Sequence, residues 1–249
     1  MTDVAADDQI AARMHAVGQR IATAAAAVGR SAADITLVAV SKTHPVSAIE
    51  AAYRAGARNF GENRVQEFVS KRTALAGLSN VTWHFVGRLQ RNKAKAVVGS
   101  DVLVHSVDRV ELLDALQSRA EAAEVNQRVL VQVNVGDDPA KGGCEVHRVA
   151  DLVAYADGLS NIRVEGLMTM PPLPEPGFAP ADAAAPYFAQ LRSLRDELRA
   201  RYPQVRELSM GMSADAEAAI AQGATMVRIG TDVFGARRDN LPSSAEVTP

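Results

Sequence analysis

A short apolar run followed by a helix-patterned stretch returns eight times along this chain, and no other feature limits its fold as strongly. The first run, Ile35-Thr36-Leu37-Val38-Ala39-Val40, is too short for a helix and rich in β-branched residues. It ends abruptly at Ser41-Lys42 and the turn Thr43-His44-Pro45, the pattern of a buried strand. Similar runs predict strands over 59–62, 82–87, 102–107, 128–135, 162–170, 207–211 and 226–230. Helices are expected over 47–55 with Ser47 as N-cap, 64–76, 92–98, from an Asp108 cap to 124, and over 145–156, 186–201 and 214–222. The proline-rich run over 171–180 reads as a long loop. Ahead of the first strand, Ile10, Met14, Val17 and Ile21 recur at helical spacing and Gly29 closes the segment.

Eight strands alternating with helices specify an α/β fold, a (β/α)8 TIM barrel with an extra N-terminal helix. An open doubly wound sheet is the other arrangement of such units, and it usually has fewer strands. No linker-like stretch interrupts the alternation, so residues 1–249 read as a single barrel domain, with an ordered core over 7–240 and a polar tail over 241–249.

Composition narrows the function. A net charge of -2 argues against non-specific binding to nucleic acid or to an anionic membrane surface. The lone Cys144 excludes an internal disulfide, the acidic start has no targeting pattern, and no apolar run reaches membrane-spanning length. A soluble cytoplasmic protein is expected, and the absence of an evident exposed apolar stripe suggests a monomer. The five histidines are scattered with no Cys/His cluster, so no metal site is expected. Arg88, Arg91, Lys93 and Lys95 form a basic patch, read as a solvated helix face that could also meet an acidic partner.

A barrel places its chemistry at the carboxyl ends of its strands, with a phosphate site after strands seven and eight. Both ends are small and hydroxyl-rich here, Gly211-Met212-Ser213-Ala214-Asp215 and Ile229-Gly230-Thr231-Asp232, and together they favour a phosphate cradle. Lys42 stands at the rim of the first strand, and a rim lysine joined to a phosphate site points to a ligand carrying both a carbonyl and a phosphate. Pyridoxal phosphate and the sugar phosphate of an aldolase both fit. Arg228 on the eighth strand tips the choice, because a pyridine nitrogen is an acceptor that arginine can meet.

Several motifs then match one family in order: Ala39-Val40-Ser41-Lys42-Thr43, Phe60-Gly61-Glu62-Asn63, Trp83-His84-Phe85-Val86-Gly87, Gly166-Leu167-Met168-Thr169-Met170, Ser209-Met210-Gly211-Met212-Ser213 and Val227-Arg228-Ile229-Gly230-Thr231. The chain resembles the pyridoxal-phosphate homeostasis proteins from about residue 7 to 240, on a barrel like the N-terminal domain of alanine racemase. The resemblance implies pyridoxal 5'-phosphate (PLP) held as an aldimine on Lys42. It implies phosphate contacts from Ser213, Gly230 and Thr231, Arg228 facing the pyridine nitrogen, and Asn63 beside the cofactor. Arg64 departs from the family, which usually has an aromatic residue there.

The function so implied is storage and delivery of PLP in vitamin B6 homeostasis, with apo PLP-dependent enzymes as recipients and no catalytic residue assigned. An arginine at the ring nitrogen keeps it unprotonated and weakens the ring as an electron sink. The alternative is a racemase-like enzyme using Lys42 as one base.

Overall fold

In the computed structural model, which describes residues 4–174 and 176–236, the strands are β1 (Thr36–Val40), β2 (Asn59–Glu62), β3 (Thr82–Phe85), β4 (Val102–Val107), β5 (Gln127–Gln132), β6 (Ile162–Met168), β7 (Glu207–Ser209) and β8 (Met226–Ile229). They pair in sequence order into a closed barrel, and every pair is parallel. Closure comes from Thr36 to Ala39 lying in register with Met226 to Ile229. The expected tail over 241–249, and residues 237–240 of the expected core, lie outside the described residues.

Strand side chains alternate in direction, and the barrel uses the two faces differently. Val38, Val40, Leu103, Leu130, Met168 and Met226 form one buried cluster inside the barrel. The alternate positions, among them Ala39, Phe60, Trp83, Phe85 and Val104, belong to a second cluster beneath the helices. Phe60, Phe68 and Phe85 are fully buried there, each worth about 2 kcal/mol of apolar transfer.

The helices are α1 (Val4–Ala27), α2 (Val46–Arg54), α3 (Val65–Ala74), α4 (Val110–Ala122), α5 (Val149–Asp157), α6 (Pro180–Arg199), α7 (Ala216–Ala221) and α8 (Thr231–Phe234). The extra N-terminal helix is α1, which buries Ile10, Val17, Ile21 and Ala25 and packs on α2, α7 and α8. None of the described helices is long and apolar enough to cross a membrane.

Several local expectations are corrected. Ser47 is not the cap of α2: Pro45, extended at φ -72, is the N-cap, and no side chain bonds there. Asp108 does not cap α4 either; Arg109 holds that position, and the Asp108 carboxylate is paired with the Arg109 guanidinium. The basic segment after β3 is a 3-10 helix over Arg91–Ala96 rather than an α-helix. Pro186 does not open α6, which starts at Pro180 and carries Pro186 inside. Pro180 has the fixed φ that suits a first turn, and burial of Ala184 and Phe188 on either side of Pro186 offsets the lost hydrogen bond.

Candidate functional site

A cavity of about 490 Å³ lies at the carboxyl ends of the strands, and Lys42, Asn63, Ser213, Arg228, Gly230 and Thr231 all line it. Residues from β1, β2, β7 and β8, and from the turns that follow them, thus converge on one space. Arg88, His44, Gln132, Lys141 and Met170 complete much of the wall.

Lys42 is fixed from below by a buried ion cluster that sequence reasoning missed. Lys71 on α3 donates to Ser41 O at 2.8 Å, Glu62 Oε1 at 2.7 Å and Glu67 Oε2 at 2.9 Å. Ser41 Oγ donates to the same Glu62 oxygen at 2.6 Å. On the other side of Lys42, Thr43 adopts φ 67, a left-handed conformation unfavourable for a β-branched residue. Its N–H donates to Glu67 Oε2 at 2.8 Å, which helps to hold the strained turn. Burial pushes the Glu67 carboxyl upward, yet the bonds from Thr43 and Lys71 outweigh it and leave the pKa below the ordinary value. The i, i+4 spacing of Glu67 and Lys71 was the one available signal for this cluster.

Arg228 is buried inside the barrel and donates to Ser209 Oγ at 2.7 Å and Thr169 O at 2.9 Å. Burial lowers its pKa to about 10, with Asp215 acting in the opposite direction, so the guanidinium stays charged at neutral pH.

The turn after β7 differs from the expected helix start. α7 begins at Ala216, so Ser213 and Ala214 precede it. The turn closes instead on Asp215, whose Oδ1 accepts from Met212 N at 2.6 Å and whose own N–H reaches Met212 O. After β8, Gly230 leads into α8; a Cβ there would stand 3.1 Å from Val40 O, so the site favours the bare backbone. Arg20 of α1 ties both turns together, a role without a local sequence signature. It donates to Ser213 O at 3.0 Å, Glu217 Oε1 at 2.7 Å and Asp232 Oδ2 at 2.5 Å.

Cys144 is buried, and that burial pushes its thiol up to about 12, so it is not a tuned thiolate. No group of three or more His, Cys, Asp or Glu that could hold a metal occurs among the described residues.

Comparison with known proteins places this geometry. Residues 14–238 match the family model for the alanine racemase N-terminal domain. A pyridoxal phosphate homeostasis protein of Aquifex aeolicus is 47% identical over 227 residues, covering 91% of this chain and 97% of the relative. One from Escherichia coli K12 is 41% identical over 235 residues, covering 92% and 97%. The solved structure of PipY from Synechococcus elongatus with PLP bound is similar at a TM-score of 0.75 and 36% identity, over 88% of this chain and 100% of that one. The chain belongs to the alanine racemase N-terminal-domain family and, within it, to the pyridoxal phosphate homeostasis proteins.

Proposed function

We propose that this protein binds PLP in the cavity at the carboxyl ends of the strands and acts as a carrier in intracellular PLP homeostasis. The observation that carries this reading is the convergence of an amine, an arginine and two hydroxyl-bearing turns on one cavity. That set fits a phosphorylated pyridine aldehyde. When bound, the group supplies an aldehyde that a primary amine captures reversibly.

Lys42 is the capturing amine in this reading, held at the end of β1 by the two anchored residues that flank it. Ser213, Gly230 and Thr231 hold the phosphate, Arg228 faces the ring nitrogen, and Asn63 lies beside the ring. A positively charged arginine at that nitrogen disfavours its protonation, which suits storage better than carbanion chemistry. The shared name of the relatives likewise favours a carrier over a racemase. Delivery to apo PLP-dependent enzymes, a cytoplasmic location and a monomeric state complete the proposal.

The test is to add PLP to the purified chain, record its visible absorption, and reduce with borohydride. A band that reduction converts into a pyridoxyl group on Lys42, absent in Lys42→Ala, is expected. Failure to form a band, or a label confined to other lysines, would overturn the assignment.

A further inference from the structure

Arg228 is held without a hydrogen bond to any carboxylate among the described residues; its two acceptors are a hydroxyl and a backbone carbonyl. A hydroxyl can rotate, so Ser209 fixes the guanidinium only if its own proton is committed elsewhere. The barrel interior supplies that commitment. Ser209 Oγ lies 2.9 Å from His105 Nδ1, His105 Nε2 lies 2.8 Å from His84 Nδ1, and His84 Nε2 lies 3.0 Å from Asn59 Oδ1. The chain of contacts runs from β8 through β7, β4 and β3 to β2, and its His105–Ser209 step spans the barrel interior between the non-adjacent strands β4 and β7.

Its direction follows from donor and acceptor inventory. Asn59 Oδ1 can only accept, so His84 carries its proton on Nε2. A neutral imidazole has one N–H, so His84 Nδ1 accepts and His105 must donate from Nε2. His105 Nδ1 then accepts from the Ser209 hydroxyl, which leaves a Ser209 lone pair for Arg228. Burial, helped by the Arg128 guanidinium, lowers the His84 pKa to about 3, and burial, with His84, Arg228 and Arg128 nearby, holds His105 far below its ordinary value, so both imidazoles stay neutral. Every donor in the series points away from Arg228, an arrangement in which each bond polarises the next.

We infer that His84 and His105, as Nε2–H tautomers, form with Ser209 and Asn59 a one-way hydrogen-bond relay that positions Arg228 in the cofactor cavity. Neither histidine lines the cavity, so both are positioning residues rather than catalytic ones. The inference rests on the reading of Arg228 as the residue facing the ring nitrogen.

Nitrogen-15 NMR of the full chain labelled at histidine tests the relay without any cofactor. Both imidazoles should show a bare Nδ1 and a protonated Nε2, unchanged between about pH 5 and 8. With PLP added, Ser209→Ala should weaken binding about tenfold, near 1.4 kcal/mol, and shift the visible band, while Ser209→Thr should restore both. Asn59→Ala, at the end remote from Arg228 and outside the cavity lining, should mix the histidine tautomers and weaken PLP at least threefold. Nδ1–H tautomers or protonated imidazoles in that window would overturn the relay. So would Ser209→Ala and Asn59→Ala chains that melt earlier yet keep wild-type band and affinity, since that is a purely structural role. Failure of the underlying reading looks different: Arg228→Gln would leave band and affinity unchanged while the wild-type tautomers remained as described.

Discussion

Lys71 Nζ stands 2.7 Å from Glu62 Oε1, both side chains almost wholly buried, and the same ammonium donates to the carbonyl of Ser41, one residue before Lys42. The second Glu62 oxygen has no hydrogen-bond partner among the described residues. Burial raises the Glu62 pKa despite the bonds from Lys71 and Ser41 that act to lower it. This ion pair is therefore costly to desolvate, and its benefit lies in where it holds the Lys42 turn.

Lys71→Met should be destabilising by about 3–5 kcal/mol, because it leaves Glu62 as an uncompensated buried group. Urea unfolding measures that loss. A parallel measurement of PLP capture should show slower formation of the visible band, since Ser41 O and Glu67 both lose the ammonium.

The buried histidines make stability depend on pH. Their folded pKa values lie below the unfolded one, near 6.5, so between the two values the unfolded chain binds the extra protons. For His84 the contribution is fully present above about pH 6.5 and is lost as pH falls toward 3, at about 1.4 kcal/mol per pH unit, and His105 acts in the same direction. Glu62, with its raised pKa, acts with the opposite sign, so the discriminating measurement is a comparison. The drop in unfolding free energy from pH 7 to pH 5 should be smaller in His84→Gln than in the wild type by about 2 kcal/mol.

Gly87→Ala tests the close approach of two cavity-lining segments. A Cβ at Gly87 would lie 2.0 Å from Asn63 O, a backbone atom that cannot swing aside. Overpacking of this kind costs about 1–3 kcal/mol and should displace Asn63. Calorimetry should show a lowered Tm, and PLP titration a weaker affinity.

Ser213→Asp should discriminate between ligands. A carboxylate in the proposed phosphate cradle repels the phosphate of PLP but leaves the aldehyde's partner, Lys42, in place. The expected result is PLP affinity reduced about tenfold or more, with capture of unphosphorylated pyridoxal close to wild type. Equal loss for both ligands would remove Ser213 from the phosphate site.

Run length and turn residues made the eight strands legible, because apolar runs such as 36–40 and 102–107 are too short for a helix, rich in β-branched residues and bounded by turns. The cavity residues were also legible: Lys42, Ser213, Gly230 and Thr231 each follow a strand, and sequence position in a barrel dictates which end they reach. Helix starts were less legible, because Pro45 and Arg109 hold the N-cap positions where Ser47 and Asp108 offered better capping chemistry. What no local pattern contained was partnership across the barrel. Arg20 and Ser213 are separated by 193 positions, and His105 and Ser209 by 104, yet each pair is hydrogen-bonded. Sequence set which residues face inward; only closure of the sheet, which brings non-adjacent strands within hydrogen-bonding reach, decided that two unremarkable histidines would join the serine that meets Arg228.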